Sequence, residues 1–171
     1  IGLAWSTDGL NFNRYPLPVL YPDRDAYLKW EYPGGVEDPR VVELEDGSYL
    51  MLYTSWNRET ARLCSAISGD LIHWKKQGPV FEVAHNGKFL DTWSKSGSVV
   101  TEIKNGRLVA KKINGAYQMY WGELFVNLAT SADGKDWSPL LHADGELLQV
   151  FTPTPGEFDS HLVEPGPPAL Y

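Results

Sequence analysis

One pattern constrains this chain more than any other, because it occurs three times. Ser6, Ser68 and Ser131 are each followed two residues later by an aspartate (Asp8, Asp70, Asp133) and six residues later by an aromatic (Phe12, Trp74, Trp137). The serines stand 62 and 63 residues apart, and a recurrence that even marks a repeat architecture. Each copy reads as a strand, a tight turn at the aspartate, and an aromatic that opens the next strand. Hairpins precede the second and third copies. Val41–Leu44, a turn at Glu45–Gly47 and Tyr49–Tyr53 form one; Val99–Ile103, a turn at Lys104–Gly106 and Tyr117–Tyr120 form the other, with an extra strand-like stretch inside it. Helical periodicity is absent, and 12 prolines with 16 glycines suit many short strands. Four short strands per repeat describe a propeller blade.

The repeats are out of phase with the chain. Residues 1–20 read as the tail of one blade and residues 162–171 as the first strand of another, with about two whole blades between. Propellers usually close with about four to eight blades. The chain therefore reads as a piece of a longer protein, or one half of a split one, whose missing blades are its expected partners. Alone it would expose raw sheet edges.

A net charge of −7 argues against nucleic acid as a partner, since a basic footprint carries that affinity, and leaves no basic face for an anionic membrane. No apolar run approaches the roughly 20 residues of a membrane span. The single cysteine, Cys64, sits in an alternating strand pattern and reads as a small core residue. No His/Cys group has metal-ligand spacing, so neither a metal nor another cofactor is expected. No targeting signal is visible at Ile1, and localisation is not legible. Seven Trp, nine Tyr and six Phe suit sugar stacking, and they suit a β-rich core equally well.

In a propeller the start of each innermost strand faces the central channel. Three segments read as such mouths: Gly35-Val-Glu-Asp-Pro-Arg40, Ser94–Ser98 and Asp159–Pro168. The first is the sharpest. Glycines at 34 and 35 permit a tight approach, Pro39 fixes φ, and adjacent Glu37 and Asp38 beside Arg40 can have their proton affinities pushed apart. The same residues would serve as a turn with a structural Asp–Arg pair, and spacing alone does not choose.

Gly35–Arg40, the Ser-x-Asp repeats, Lys112–Gly115 followed by Tyr117–Trp121, and Phe158–Pro168 together resemble glycoside hydrolase family 130 over nearly the whole chain. The resemblance implies an all-β, five-bladed β-propeller, of which this chain covers about two whole blades and parts of two flanking ones. It implies action on β-mannosides, mostly by inverting phosphorolysis and in some members by hydrolysis, with Asp38 as proton donor. A mannose-containing oligosaccharide is the implied ligand.

The phosphorylases carry a His-Arg pair where this chain reads Trp121-Gly122-Glu123, and a basic residue and glycine where it has Leu162 and Glu164. A carboxylate repels phosphate and can activate water. Glu123 and Glu164 are therefore candidate bases, Glu123 preferred, and at least one of them must instead bind sugar hydroxyls. Arg40 and Arg62 are expected to orient Asp38 or sugar hydroxyls. Lys95 and Lys112 join them as substrate-binding residues, with Glu37, Asp159 and His161; Lys111 also remains basic. Trp93 and Trp121 read as sugar-stacking walls or as blade packing. The leading expectation is inverting β-mannoside hydrolysis. The alternatives are a phosphorylase releasing mannose 1-phosphate and a sugar-binding propeller without turnover; a WD-type propeller fits poorly because its repeat is about 45 residues or shorter.

Overall fold

The computed structural model describes residues 1–171. It is built almost wholly of strands: β1 (Ala4–Trp5), β2 (Asn13–Arg14), β3 (Gly35–Glu43), β4 (Tyr49–Trp56), β5 (Ala61–Ser68), β6 (Trp74–Pro79), β7 (Ser98–Lys104), β8 (Arg107–Ala110), β9 (Lys112–Ile113), β10 (Ala116–Trp121), β11 (Val126–Ser131), β12 (Ser138–Pro139), β13 (Gln149–Phe151) and β14 (Ala169–Leu170). Two antiparallel meanders dominate, β3-β4-β5-β6 and β7-β10-β11-β12. β1 and β2 form a separate two-stranded sheet, and β14 runs parallel beside β7. The curled arrangement is consistent with a propeller-like fold. The extra stretch read between Val99–Ile103 and Tyr117 is β8, which pairs with β7 and meets β3 at Glu43–Val109, bridging the two meanders.

The threefold pattern is explained by its hydrogen bonds. In every copy the serine hydroxyl donates to the aspartate Oδ1 and accepts the next turn's amides. The aspartate Oδ1 in turn accepts two amides further on, from Leu10 and Asn11, Ile72 and His73, or Lys135 and Asp136. These charge-assisted bonds hold the carboxyls low: Asp8 chiefly through Asn11, Asp70 chiefly through His73. Burial pushes Asp133 up, but the amides of Lys135 and Asp136 outweigh it. The sixth position is an anchor as well as a strand opener. The indole N–H of Trp74 donates to the Leu71 carbonyl and that of Trp137 to the Gly134 carbonyl, a tie that Phe12 cannot make.

The main core lies between the meanders, where Leu50, Leu52, Leu63, Val80, Phe81, Met119, Trp121 and Trp137 are all at most 2% exposed. A second small cluster gathers Met51, Tyr53, Cys64 and Ala66. Burial there pushes the Cys64 thiol up to about 12, as befits an inert core residue. Two short helical elements escaped the sequence reading, a 3-10 turn at Ala84–Gly87 and the single helical turn α1 (Leu28–Glu31), which is too short to leave a periodicity. Tertiary contacts hold it. Fully buried Glu31 takes the Lys76 ammonium at 2.6 Å and the Tyr53 hydroxyl at 3.0 Å, and Lys76 also reaches Asp25 at 3.0 Å. Burial raises the Glu31 carboxyl despite that lysine. No helix is long and apolar enough to cross a membrane.

Candidate active site

The inner strands bring all three mouths together. Arg40 on β3 donates to the Pro165 carbonyl at 2.6 Å, and Ser98, the first residue of β7, donates to the Pro167 carbonyl at 2.7 Å. The segment leading into β14 is thus stitched to both neighbouring strands.

Asp38 sits where the β3–β4 ladder breaks. Glu37 faces Thr54 and Arg40 faces Leu52, so Asp38 and Pro39 together oppose the single residue Tyr53. This is a β-bulge, a device that re-aims a side chain, and Asp38 occupies it with a left-handed φ of 51°. Aspartate is among the few residues that tolerate that conformation. Just upstream, a Cβ on Gly34 would strike the Trp56 backbone and ring, so only glycine allows this approach. The carboxyl of Asp38 is 47% exposed and opens into a hollow of about 340 Å³ lined by Asp38, Pro39, Arg40, Glu164, Gly166 and Pro167. A hollow of that size accepts a sugar ring.

Two cation–carboxylate systems flank Asp38. Lys95 Nζ lies 3.7 Å from Asp38 Oδ2 and 3.5 Å from Glu123 Oε1. Those two lengths bound the separation of the carboxylate oxygens at about 7.2 Å. On the other side Arg40 lies 3.8 Å from Glu164. Burial lowers the Arg40 guanidinium, and Glu164 and Asp38 offset that in part. Glu164 also borders a second hollow of about 550 Å³ with Tyr120, Phe151, Thr154 and Asp159. Two other hollows, about 490 and 620 Å³, lie against the N-terminal segment and contain none of the candidate catalytic or sugar-binding residues. Chemistry, not size, selects the site.

The remaining residues separate sharply. Glu37 lines a small recess of about 100 Å³ with Trp56, Trp93 and Lys95. Trp93 is 49% exposed. Trp121, by contrast, is 1% exposed and packs on Phe81 with ring centroids 4.6 Å apart, so the packing alternative holds for it and the stacking-wall alternative does not. Arg62 is buried and does not reach Asp38; it grips Asp91 at 2.6 Å and the Thr60 carbonyl. Lys112 pairs across from Tyr117, over whose ring its ammonium lies at 4.8 Å, at the opposite end of β10 from Glu123. About 13 Å of strand separates those ends, so Lys112 is not brought to the cluster. Asp159 accepts from Thr154 while its other oxygen is buried without a partner, and His161 is exposed. No group of three or more His, Cys, Asp or Glu is placed to hold a metal.

Gly122 matters to the site and was passed over in the sequence. Its amide donates to the Lys95 carbonyl at 2.9 Å, its φ is +125°, and a Cβ would collide with the Phe125 carbonyl and the Asn127 amide. Gly122 therefore turns the chain between Trp121 in the core and Glu123 in the cleft. Its glycine identity directly before a polar residue at a strand end is the signal that could have found it. Gly122→Ala is expected to displace Glu123 and lower kcat at least about 10-fold, with a clear loss of melting temperature because the new Cβ meets the Phe125 backbone at a positive φ. Kinetics and thermal melts of the same preparation check this.

Comparisons place this geometry among known proteins. A family model described as β-1,4-mannooligosaccharide phosphorylase, glycoside hydrolase family 130, matches residues 1–170. A 1,2-β-oligomannan phosphorylase of Thermoanaerobacter sp. is 31% identical over 99% of this chain and 48% of its own length. A putative glycosidase of Bacteroides thetaiotaomicron superposes with a TM-score of 0.97 at 54% identity, over 99% of this chain and 48% of that one. Another structure, with a TM-score of 0.97 at 50% identity over 99% of this chain and 47% of its own, is described by the statement that the family of mannoside phosphorylases contains glycoside hydrolases targeting β-1,2 mannosidic linkages in Candida mannan. The chain spans about half the length of the curated relative it matches along nearly all of its residues. Shared motifs, a near-superposable backbone and a family match from end to end have one explanation: this chain belongs to glycoside hydrolase family 130.

Proposed function

We propose that this chain supplies the acid and the base of an inverting hydrolase of β-mannosidic bonds, in a five-bladed propeller whose other blades lie outside residues 1–171. Asp38 protonates the departing glycosidic oxygen, and Glu123 takes a proton from the water that attacks the opposite face of the mannose ring. Inverting enzymes hold acid and base roughly 6.5–9.5 Å apart to leave room for that water. Lys95, standing between the two, caps the Asp38 Oδ2–Glu123 Oε1 separation at about 7.2 Å, so these oxygens stand at the short end of that range or closer together. Glu164, tied to Arg40, takes a sugar hydroxyl.

One observation carries the choice of hydrolysis: apart from Lys112, each basic residue expected to bind phosphate or sugar already faces a carboxylate. Lys95 faces Asp38 and Glu123, Arg40 faces Glu164, Arg62 faces Asp91, and Lys111 faces Glu102 at 2.8 Å. Lys112 lies over Tyr117 at a distant edge. A phosphate dianion needs converging unpaired donors, and carboxylates beside them repel it. The β-1,2 linkage is the one named for two curated relatives and for the structure at 50% identity, and it is the linkage we propose here. Both curated relatives are phosphorylases, which favours phosphorolysis as the second reading.

Incubating the full-length enzyme with β-1,2-mannobiose, with and without inorganic phosphate, separates them. Hydrolysis predicts free mannose at the same rate in both. Dependence on phosphate, with mannose 1-phosphate as product, would reverse the assignment.

A further inference from the structure

The Glu123 carboxylate is met at both of its oxygens by two residues of the short segment that leads into β7. The indole N–H of Trp93 donates to Glu123 Oε2 at 2.7 Å, and the Lys95 ammonium stands 3.5 Å from Oε1. Exposure alternates along it: Trp93 and Lys95 line one small recess, while Ser94 and Ser96 between and after them are each 2% exposed. Ser94 is pinned by the Leu63 amide, which donates to its Oγ at 3.0 Å.

The indole is itself clamped. Its ring meets Trp56 edge-on with centroids 5.5 Å apart, and Trp56 is the last residue of β4. Arg62 fixes the chain two residues upstream through Asp91, and the Gly122 amide fixes it two residues downstream at the Lys95 carbonyl. The Trp93 N–H is thus delivered to one place by contacts on three elements, and that place is the carboxylate oxygen.

We infer that Trp93 is a positioning residue whose indole N–H, with Lys95, holds the Glu123 carboxylate in the orientation that takes a proton from water, in addition to any contact its face makes with sugar. The inference rests on Glu123 acting as the base. A carboxylate held by a hydrogen bond on one oxygen and an ammonium beside the other cannot rotate freely, and small misplacements of a reacting group cost large factors in rate. A stacking wall works differently. It binds ground state and transition state alike, so its removal raises KM and leaves kcat in place.

Two substitutions on the full-length enzyme separate these roles. Trp93→Phe keeps an aromatic face against Trp56 and removes the donor; Trp93→His restores a ring N–H near the same position. Kinetics with β-1,2-mannobiose are measured without phosphate, alongside thermal melts. We expect Trp93→Phe to lower kcat about 10- to 100-fold with KM changed less than about threefold, and Trp93→His to recover most of the loss. A kcat within about twofold of wild type for Trp93→Phe, a rise confined to KM, or no recovery with histidine would overturn the inference while leaving hydrolysis intact. A wild-type enzyme that turns over only with phosphate would overturn both.

Discussion

Asp38→Asn lowers kcat of the full-length enzyme toward β-1,2-mannobiose by about 10²- to 10⁴-fold, the usual worth of general-acid catalysis, while substrate affinity stays within about threefold. The substitution is nearly isosteric and uncharged, and asparagine tolerates the left-handed φ of 51° that the bulge imposes. The side chain is about half exposed, so folding loses little. What disappears is a proton for the departing oxygen. A mannoside with a strongly acidic phenol as leaving group needs less of that proton, so the deficit should shrink with it. Binding by calorimetry and turnover of the two substrates decide the matter. Equal loss on both would deny Asp38 the acid's role, and unchanged turnover would leave it a structural residue of the bulge.

Glu123→Gln is expected to be comparably damaging, about 10²- to 10⁴-fold in kcat, because glutamine keeps the hydrogen bond from Trp93 but cannot take a proton from water. Glu164→Gln should cost distinctly less and fall mainly on KM, since Glu164 stands on Arg40, 3.8 Å away. A nucleophile that needs no deprotonation supplies a sharper readout. In Glu123→Gln, added azide can attack the anomeric carbon from the face the water would use, while Asp38 protonates the departing oxygen; the product is α-mannosyl azide. Azide should therefore restore turnover to Glu123→Gln and leave Asp38→Asn unaffected with the same unactivated substrate. Rescue of Glu164→Gln instead would exchange the roles of the two glutamates.

The repeat made the strand plan legible because its chemistry is local. A serine, an aspartate two residues on and the amides just beyond close their own hydrogen bonds, and they do so alike at all three turns. The hairpin of Val41–Leu44 with Tyr49–Tyr53 was readable for the same reason, whereas the turn at Lys104–Gly106 closes Val99–Ile103 onto β8, with Tyr117–Tyr120 pairing to β7 only through Met119 and Tyr120. The convergence of residues 35–40, 94–98 and 159–168 was anticipated from their place at strand starts, and Arg40 and Ser98 donating to Pro165 and Pro167 bear it out.

Individual roles within the site were not legible. Trp93 and Trp121 look interchangeable in sequence, yet one is half exposed and the other lies in the core, because Trp121 ends β10 against Phe81 while Trp93 stands in the loop before β7. Arg62 and Lys112 were grouped with the site by charge, but Asp91 and the length of β10 hold them elsewhere.

By itself the sequence determined the repeating strand–turn unit and the small core cysteine, and it singled out Gly35–Arg40, which proves to be the bulged start of β3 and not a turn. Only the tertiary structure decided that Lys95 stands between Asp38 and Glu123, that Arg40 faces Glu164, and that a bulge opposite Tyr53 lifts Asp38 into the hollow. Those pairings join residues far apart in the chain, and their geometry is set by how the meanders pack, a quantity no short stretch of sequence contains.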